Sequence, residues 1–486
     1  MNYGQFLNMV PEFYLVLILL AVFFMDFFFS RKSGRDHEVF GGVTIGLMLV
    51  LPVRIAFLSE PTEAFGGMYV ASQAANVMKV ILSIGTVIVL IMAEPWLKNE
   101  AQKHRGEFYL LMLSTLLGMF IMVSSGSFLL FFLGLETASV PMACLVAFDK
   151  FKKKSAEAAA KYILVATFSS GVMLYGISFI YAATGTLYFD DVAEGILGCN
   201  PIYEGVTPLT IMGLVFFFSG LGFKLSLVPF HFWTADTYEG APTPVTGYLS
   251  VCSKGAAAFA AMVILCKAFA PLVEYWEYML YVLIVLSITI ANLFAIRQSE
   301  LKRFMAFSSI SQAGYIMLAV IGASQAGMAS LMYYILVYVV ANMAVFTVIS
   351  TVEQNNNGAT QMSAYDGLYQ TNPKLAFLMT LALFSLAGIP PFAGMFSKFF
   401  VFMAAAEQGS FWAYFVVFIA LVNTVVSLYY YLLIVKAMYI NKTETPLPTF
   451  KTDGSTRFAL AICTAGIALF GVCSCIYKWL FVASAM

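Results

Sequence analysis

Four charged residues lie near the middle of long apolar runs and are the first candidates for chemistry: Glu136, Lys224, Lys254 and Lys398. A charge at the centre of a membrane helix costs about 2.5–3.5 kcal/mol on insertion scales unless it faces water or a partner. Structural ion pairs that fix helix packing are one explanation, but three lysines cannot all pair with one carboxylate. A carboxylate favours the protonated form of a nearby lysine, whereas desolvation favours the neutral form. We therefore expect Glu136 to control whether Lys224 holds its proton.

Helix-breaking residues accompany two of these lysines. The stretch LGFKLSLVPFHFW places Pro229 shortly after Lys224. The stretch LAGIPPFAGMFSKFF places Pro390 and Pro391 ahead of Lys398. Proline removes a backbone donor, and non-helical backbone at membrane depth persists only where it lines a wet cavity or protein. We predict a broken helix beside each lysine; a kink that serves packing alone is the alternative.

Two further residues have more than one interpretation. Lys161 lies about one turn inside the end of its helix, four residues after Glu157, so it either assists a proton relay or extends towards water. His231 follows the first predicted break. It either collects protons or lies at the membrane interface with Trp233 and Tyr238.

No pattern in the chain predicts a metal or redox centre. The histidines are scattered, no GxGxxG motif opens a strand–helix unit, and the cysteines lack CxxC spacing. We interpret the seven cysteines as small apolar packing residues: Cys144, Cys199, Cys252, Cys266, Cys463, Cys473 and Cys475. Three more lysines lie near span ends, where long side chains extend towards water: Lys79, Lys267 and Lys478.

The composition is that of a polytopic membrane protein. Of 486 residues, 61% are hydrophobic and only 11% are charged, whereas about 25% of the residues of soluble proteins are charged. The formal net charge of zero gives no sign of a nucleic-acid partner. Windows of about 20 apolar residues predict an all-α membrane domain over residues 1–486 with about fourteen transmembrane helices. The predicted spans are 11–29, 39–58, 76–95, 107–125, 127–148, 157–183, 207–232, 243–269, 277–296, 302–322, 327–351, 374–406, 411–439 and 457–483.

The connectors between these spans alternate in charge. The basic connectors contain Arg31, Lys32 and Arg35; Lys98, Lys103 and Arg105; Lys150, Lys152, Lys153 and Lys154; Arg297, Lys302 and Arg303; and Lys442, Lys451 and Arg457. The opposite connectors, SEPTEAFGG and TGTLYFDDVAEGILGCNPIYEG, contain acidic residues but no lysine or arginine. Because basic loops accumulate on the cytoplasmic side, the pattern predicts that both termini lie outside.

The two halves of the chain resemble each other at a shift of about 173 residues. KYILV in the first half matches YYILV in the second, and GFKLS around Lys224 falls beside FSKFF around Lys398. Five spans separate corresponding segments, so the two copies have opposite orientations. Inverted repeats with paired broken helices are typical of transporters. We predict inverted repeats over residues 107–269 and 277–439, each containing a broken helix.

Five segments resemble a known family over essentially the whole chain, the antiporter-like membrane subunits of respiratory complex I, the NADH:quinone oxidoreductase. These segments are FLGLETASVP, AAKYILVATFSSG, LVPFHFWTADTYEGAPTPVTGYLSVCSKGAA, LKRFMAFSSISQAGYIML and LAGIPPFAGMFSKFF. EGAPTPV followed by LSVCSKGAA, together with lysine at position 398, looks most like subunit N. Subunit M typically carries glutamate there, and the chain has no room for the lateral helix of subunit L.

The resemblance implies a role for each central charge. Glu136 would tune Lys224 on a broken helix, and Lys254 would be the central relay. Lys398 would be the terminal proton donor or acceptor, and Lys161 would assist. The resemblance also implies that NAD(H), FMN, iron–sulfur clusters and quinone are held by partner subunits and that this chain holds no cofactor. The implied partners are other antiporter-like and small membrane subunits, the peripheral redox arm indirectly, and lipids.

One residue departs from the family pattern. Relatives commonly have histidine in the motif SSIxHxGY, whereas this chain has Gln312, which does not change its protonation near neutral pH. Gln312 can still order a chain of water molecules together with Ser308, Ser309 and Ser311.

These residues predict a proton-translocating subunit of an NADH:quinone oxidoreductase in the bacterial inner membrane. A subunit of a multi-subunit cation/proton antiporter is the first alternative, since it shares the fold and the buried lysines. A passive membrane scaffold, whose charged residues are packing pairs, is the second.

Overall fold

The computed structural model describes residues 3–29, 35–198, 207–441, 443, 447–473 and 475–485. Four residues singled out in the sequence lie outside these ranges: Arg31, Lys32, Cys199 and Lys442. The helices of the first half are α1 Val10–Phe29, α2 Arg35–Leu58, α3 Gln73–Asn99, α4 Arg105–Val123, α5 Phe128–Val146, α6 Lys153–Thr184, α7 Phe189–Gly198, α8 Pro208–Leu225, α9 Phe232–Gly240, α10 Thr243–Tyr248 and α11 Lys254–Cys266. Those of the second half are α12 Val273–Ile296, α13 Leu301–Ile321, α14 Gln325–Asn355, α15 Leu368–Thr371, α16 Pro373–Ala387, α17 Ala393–Ala406, α18 Phe411–Tyr439, α19 Gly454–Val472 and α20 Cys475–Ala483.

The predicted spans correspond to these helices. Thirteen helical segments in the described ranges are long and apolar enough to cross a membrane. The shorter helices α16 and α17 together fill the predicted span 374–406. Another predicted span, 243–269, contains α10, a π-helical turn at Leu249–Ser253, and α11. The chain is therefore an all-α membrane protein of the predicted kind.

Two elements in the connectors were not predicted. A short antiparallel hairpin joins β1 (Thr62–Ala64) to β2 (Tyr69–Ala71), and α7 lies in the acidic connector after α6. The hairpin is held by tertiary contacts, because the backbone nitrogen of Val70 donates to the carbonyl of Ser124 at 2.9 Å. Strands of three residues depend on such packing more than on their own sequence.

The centre of the bundle is formed by a few fully buried helices. The apolar windows of α13 and α14 are wholly buried, and those of α3 and of α10–α11 are 89% buried. In α1 and α18 only 28% of the window is buried. Since α11 begins at Lys254 and α13 carries the serine-rich segment before Gln312, these candidate residues lie in the core of the bundle.

Side-chain caps define where several helices begin. The side-chain oxygen of each cap accepts a hydrogen bond from a backbone nitrogen in the first turn, which satisfies one of the otherwise unpaired donors. These caps are Ser72, Ser127, Thr207, Glu300, Ser324 and Ser410.

The first broken helix is formed by α8 and α9. Helix α8 ends at Leu225, and Ser226 then adopts a left-handed conformation with φ 62°. Side chains satisfy the backbone groups that the break leaves unpaired. The indole nitrogen of Trp233 donates to the carbonyl of Phe223 at 3.1 Å. The backbone nitrogen of Val228 donates to the hydroxyl of Ser287 on α12 at 2.9 Å.

The second broken helix is formed by α16 and α17. Gly388 ends α16 with φ 88°, a conformation that favours glycine. Across the break, the backbone nitrogen of Gly394 donates to the hydroxyl of Ser385 at 3.2 Å. The two predicted interruptions are thus present, each beside a buried lysine. The inverted relation between residues 107–269 and 277–439 stays a prediction.

The basic connectors meet at one end of the bundle. Lys152 pairs with Glu100 at 3.0 Å, and Lys154 pairs with Glu239 at 2.8 Å. Backbone and side-chain contacts extend this cluster of connectors towards the chain's last third: Met362 N to Ser299 O at 2.8 Å, and Asn441 Nδ2 to Asp366 Oδ1 at 2.8 Å. We call this the basic end.

The opposite end carries the hairpin and both terminal regions. Asn8 donates to the carbonyl of Glu63 at 3.0 Å, and Gln325 donates to the carbonyl of Phe481 at 2.8 Å. We call this the hairpin end. The described basic connectors and the hairpin therefore lie at different ends of the bundle, and the side of the membrane that each end faces stays a prediction.

Gly394 tests how tightly the second break is packed. A Cβ at this position would lie 1.7 Å from the carbonyl oxygen of Ser385, which is backbone and has no rotamer to change. We expect Gly394→Ala to destabilise the protein by about 1–3 kcal/mol, the usual cost of overpacking, and to lower its thermal unfolding midpoint. The matched control is Gly171→Ala, since a Cβ there meets no heavy atom within 4 Å. Equal unfolding midpoints for the two variants would contradict the packing argument.

Candidate functional site

The three central lysines are buried and bonded to uncharged oxygens. Lys224, Lys254 and Lys398 are 4%, 2% and 4% exposed. Lys224 donates to the hydroxyl of Ser139 at 2.9 Å, Lys254 donates to the hydroxyl of Ser309 at 2.8 Å, and Lys398 donates to the carbonyl of Ala387 at 3.1 Å. Among the described residues, no carboxylate oxygen lies within 4 Å of any of the three. The packing-pair explanation requires such contacts, so the geometry does not favour it.

Glu136 and Lys224 are linked through α5 and not by a direct ion pair. Ser139, which accepts the hydrogen bond of Lys224, lies three residues after Glu136 and so on the same helix face. The carboxylate of Glu136 accepts a short hydrogen bond from Ser170 on α6. The expected influence of Glu136 on Lys224 therefore acts across about one helical turn. Neither serine was predicted from the sequence. The position of Ser139, three residues after Glu136, was the signal that could have identified it.

Lys254 lies where three helices meet. It follows the π-helical turn and its nitrogen lies 5.5 Å from the centre of the Tyr238 ring on α9. The same Ser309 hydroxyl that binds Lys254 lies 3.3 Å from the hydroxyl of Tyr238. The second half of the first broken helix thus contacts the central lysine through an aromatic ring and a shared serine.

Gln312 joins a polar row on α13 to the second broken helix. Its amide nitrogen donates to the hydroxyl of Tyr431 at 3.2 Å and to the carbonyl of Leu386 at 3.4 Å, and its oxygen accepts a short hydrogen bond from Tyr334. Tyr431 also bonds Ser308, one turn earlier on α13. Ser311 is buried, and within the described residues its hydroxyl has no hydrogen-bond partner. Gln312 therefore both donates and accepts hydrogen bonds at this point of α13.

A small cavity separates Gln312 from Lys398. Its volume is about 10 Å³ for a water-sized sphere, which is the space of about one water molecule. The polar lining is formed by Gln312, Tyr334, Tyr338, Ser385, Ser397 and Lys398. Lys398 also lies 5.0 Å from the centre of the Tyr315 ring. Gln312 and Lys398 thus line the same water-sized cavity.

Unpaired polar atoms surround the region between the first two lysines. Within the described residues, several buried side-chain atoms here have no hydrogen-bond partner: the hydroxyls of Tyr162, Ser226, Thr234, Thr237 and Ser253, and Nδ1 of His231. Buried polar groups are nearly always satisfied by protein or ordered water, so this region is expected to hold water. His231 is 7% exposed and packs on Phe232, which does not fit the interface alternative.

Lys161 belongs to a separate ion-pair network at the basic end. It pairs with Asp236 and Glu157, both at 2.7 Å, and its side chain is 44% exposed. Asp236 also binds Arg303 at 2.7 Å. Partial burial would raise the pKa of Asp236, but hydrogen bonds from Lys161 and Arg303 outweigh it and hold that pKa below its usual value. The structure does not bring Lys161 into contact with Glu136 or Lys224.

Two further buried lysines, Lys79 and Lys302, were not predicted to be site residues, and each lies near an acidic residue. The expectation that Lys79 extends towards water is wrong: it is 0% exposed and pairs with Glu12 at 2.6 Å. Lys302 donates to the carbonyl of Ala241 at 2.9 Å and lies 3.9 Å from Glu353. Glu12, an acidic residue in the first turn of an apolar helix, was the available signal for the first pair. Lys478 is exposed at the surface as expected, whereas Lys267 is half-buried, lines a cavity and lies 3.7 Å from Asp190.

The described residues contain no group of three histidine, cysteine or acidic side chains arranged to hold a metal ion. The six cysteines within the described ranges form no disulfide. Cys252 and Cys463 are buried as packing residues would be, whereas Cys144 and Cys475 are exposed.

Comparison with known sequences gives consistent matches. The family model described as NADH:quinone oxidoreductase/Mrp antiporter, TM, matches residues 125–425. NADH-quinone oxidoreductase subunit N of Phocaeicola vulgatus is 57% identical over 481 residues, covering 99% of each chain. The subunit of the same name from Azobacteroides pseudotrichonymphae is 50% identical and covers 99% of this chain and 98% of that one.

Comparison with solved structures agrees. A chain of respiratory complex I from Thermus thermophilus aligns with a TM-score of 0.76 and 30% identity, over 95% of this chain and 97% of that chain. A chain of the Mrp complex from Dietzia sp. aligns with a TM-score of 0.84 at 19% identity, over 100% and 97%, which shows a shared fold alone. By sequence and by fold, the chain belongs to the NADH:quinone oxidoreductase/Mrp antiporter family, among the chains named NADH-quinone oxidoreductase subunit N.

Proposed function

We propose that this chain is a proton-translocating membrane subunit of an NADH:quinone oxidoreductase. We further propose that protons are carried by the buried polar residues that extend from Glu136 through Lys224, Lys254 and Gln312 to Lys398, which we call the row. The observation that carries the proposal is the set of three buried lysines, each bonded to an uncharged oxygen and each next to further hydroxyl or amide groups. We assign the hydride, iron–sulfur and quinone chemistry of such an oxidoreductase to partner subunits.

Proton transfer along the row uses groups that both donate and accept. The ammonium group of Lys254 donates to Ser309, and a proton that leaves this nitrogen is taken up by a hydroxyl or water molecule that passes on its own. Gln312 on α13 and its hydrogen-bond partner Tyr431 on α18 continue the row towards Lys398. Glu136 stabilises the protonated form of Lys224 from one helical turn away, so a change in that distance changes how firmly the lysine holds its proton.

The proposed orientation places the basic end in the bacterial cytoplasm and the hairpin end, with both termini, outside. The clustering of the described basic connectors at one end supports this orientation through the positive-inside rule. We propose the bacterial inner membrane as the location, with other membrane subunits of the complex and lipids around the exposed helices. The partially exposed α1 and α18 provide apolar surface for such neighbours.

A subunit of a multi-subunit cation/proton antiporter is the second candidate, favoured by the structural likeness to the Mrp complex. The sequence relatives at 57% and 50% identity carry the oxidoreductase name, which favours the first candidate. Sodium-dependent proton exchange by membranes that lack NADH oxidation would support the antiporter.

Lys224 and Glu136 test the proposed path directly. In the assembled complex, we expect Lys224→Ala or Glu136→Ala to lower proton pumping and coupled quinone reduction by roughly tenfold or more, since positioned acid–base groups contribute about 10²–10⁴-fold. Pumping is measured with a pH-sensitive dye in sealed vesicles, alongside NADH oxidation. Lys153→Ala, an exposed residue in a basic connector, is the matched control. Near-normal pumping by both path variants would refute the role assigned to them.

Gln312 tests whether the row depends on hydrogen bonding instead of titration at this point. We expect Gln312→Leu to reduce the number of protons pumped per NADH, because leucine breaks the contacts with Tyr431 and Tyr334. Gln312→His is expected to retain pumping, since imidazole also donates and accepts. Gln298→Leu, at an exposed site, is the control. Unchanged pumping by Gln312→Leu would show that protons bypass α13.

A further inference from the structure

A buried three-residue cluster lies at the hairpin end, away from the row of central lysines. Lys79 on α3 pairs with Glu12 on α1 at 2.6 Å and donates to the hydroxyl of Tyr69 at 3.0 Å. Tyr69, on β2, donates in turn to the second oxygen of Glu12 at 2.8 Å. The three are 3%, 0% and 0% exposed for Glu12, Lys79 and Tyr69. We call these residues the outer triad; all three precede the part of the chain that the family model matches.

A polar face of α3 leads from the outer triad towards the core. Lys79, Ser83 and Thr86 are spaced by four and three residues, so they share one side of the helix. All three are 0% exposed in an otherwise apolar helix. Thr86 reaches the hydroxyl of Tyr248, at the end of α10, at 3.5 Å. The face thus ends against the segment that precedes Lys254.

The segment that precedes Lys254 also contacts Ser309, the hydrogen-bond partner of Lys254. The carbonyl of Ser250 accepts from Ser309 at 3.4 Å, and Ser309 is the residue that Lys254 binds. The hydroxyl of Ser250 accepts from Asn342 at 2.6 Å. Ser309 links Lys254 to Ser250, and Tyr248, two residues before Ser250, links the same segment to Thr86.

A cavity lies near the outer triad at the hairpin end, and Val70, the residue after Tyr69, contributes to its lining. Its polar lining residues are Ser72, Ser125, Asp190 and Lys267, the rest of the lining is apolar, and its volume is about 110 Å³, enough for several water molecules. Ser124 precedes Ser125 of the cavity lining, and its carbonyl accepts a hydrogen bond from Val70, the residue after Tyr69. It is 0% exposed, and within the described residues its hydroxyl has no hydrogen-bond partner. Its unpaired hydroxyl marks a place for water between the triad and the cavity.

We propose that the outer triad is a proton-release site, fed from Lys254 along α3, through which this subunit delivers protons to the outer side. The inference rests on the proposed function and on the orientation given above. A proton that leaves the Lys254 ammonium passes by hydroxyls and water to the Glu12 carboxylate, which becomes the carboxylic acid. The acid then gives the proton to water in the outer cavity, and the carboxylate restores its ion pair with Lys79.

A purely structural ion pair makes a different prediction. Removing one partner of a buried pair leaves an uncompensated charge and destabilises the fold, whereas replacing both with uncharged groups is often neutral. A double variant, Glu12→Gln with Lys79→Met, therefore removes the titrating groups without leaving a buried charge. A structural pair predicts normal pumping by this variant, but a release site predicts a loss.

The experiment uses the complete complex, reconstituted in liposomes, and measures protons translocated per NADH oxidised. We expect the double variant to translocate at least one proton fewer per NADH than the unmodified complex while NADH oxidation continues. The matched control is Glu63→Gln with Lys478→Met, which removes one acid and one lysine from exposed sites at the same end. Tyr69→Phe, which keeps the ring beside Lys79, is expected to lower the ratio in the same direction.

The outcomes separate the two proposals. A normal ratio in the double variant, or a normal ratio in Tyr69→Phe if the double variant does not assemble, overturns the release site. If Lys224→Ala then still lowers pumping, the proposed function stands and only the exit is rejected. If Lys224→Ala also pumps normally, the proposed function itself fails.

Discussion

The structure depends on the cost of placing ammonium groups in a membrane interior without paired carboxylates. Each central lysine needs oxygen acceptors that an intact apolar helix does not offer. Lys398 finds the carbonyl of Ala387, which is free because α16 ends there, and Lys224 finds a serine on the neighbouring α5. Of the three acceptors, the one bonded by Lys398 is supplied by an interruption, whereas Lys224 and Lys254 bond to serine hydroxyls on neighbouring helices.

The same constraint explains the residues that surround the breaks. Trp233 and Ser287 satisfy the backbone of the first break, and Gln312 and Ser385 satisfy that of the second. A break without such partners would leave buried polar groups unpaired, at a cost of about 1–3 kcal/mol each. Because Gln312 serves both the carbonyl of Leu386 and the polar row on α13, the element that stabilises the fold is also the element that links the lysines.

Much of this arrangement was predictable from local sequence. Proline and glycine beside Lys224 and Lys398 predicted the breaks, and the charge of the connectors predicted which helix ends lie together. Contacts between distant segments were not predictable in the same way. Glu12 and Lys79 pair across 67 positions of the chain although α1 packs mainly against α2 and α4. Lys224, which Glu136 was expected to control, bonds to the hydroxyl of Ser139. These contacts depend on which helices pack side by side and on which of their faces meet, and the order of the residues does not give that packing.

The imbalance between three lysines and one carboxylate bears on how a relay can work. Protonating all three lysines would leave an excess of positive charge in a medium of low dielectric constant, where charges interact more strongly than in water. A proton that arrives at one lysine therefore weakens the hold of the other lysines on theirs. In the proposed relay, the hydroxyls, amides and water between the lysines pass protons and are uncharged between transfers. Ser309 and Gln312 are groups of this kind. A carboxylate paired with each lysine would stabilise all of them in the protonated form and stop the relay. In the proposed relay, the scarcity of acids at the core lets the central lysines lose their protons, and the ion pair of Glu12 with Lys79 lies at the proposed exit and not between those lysines.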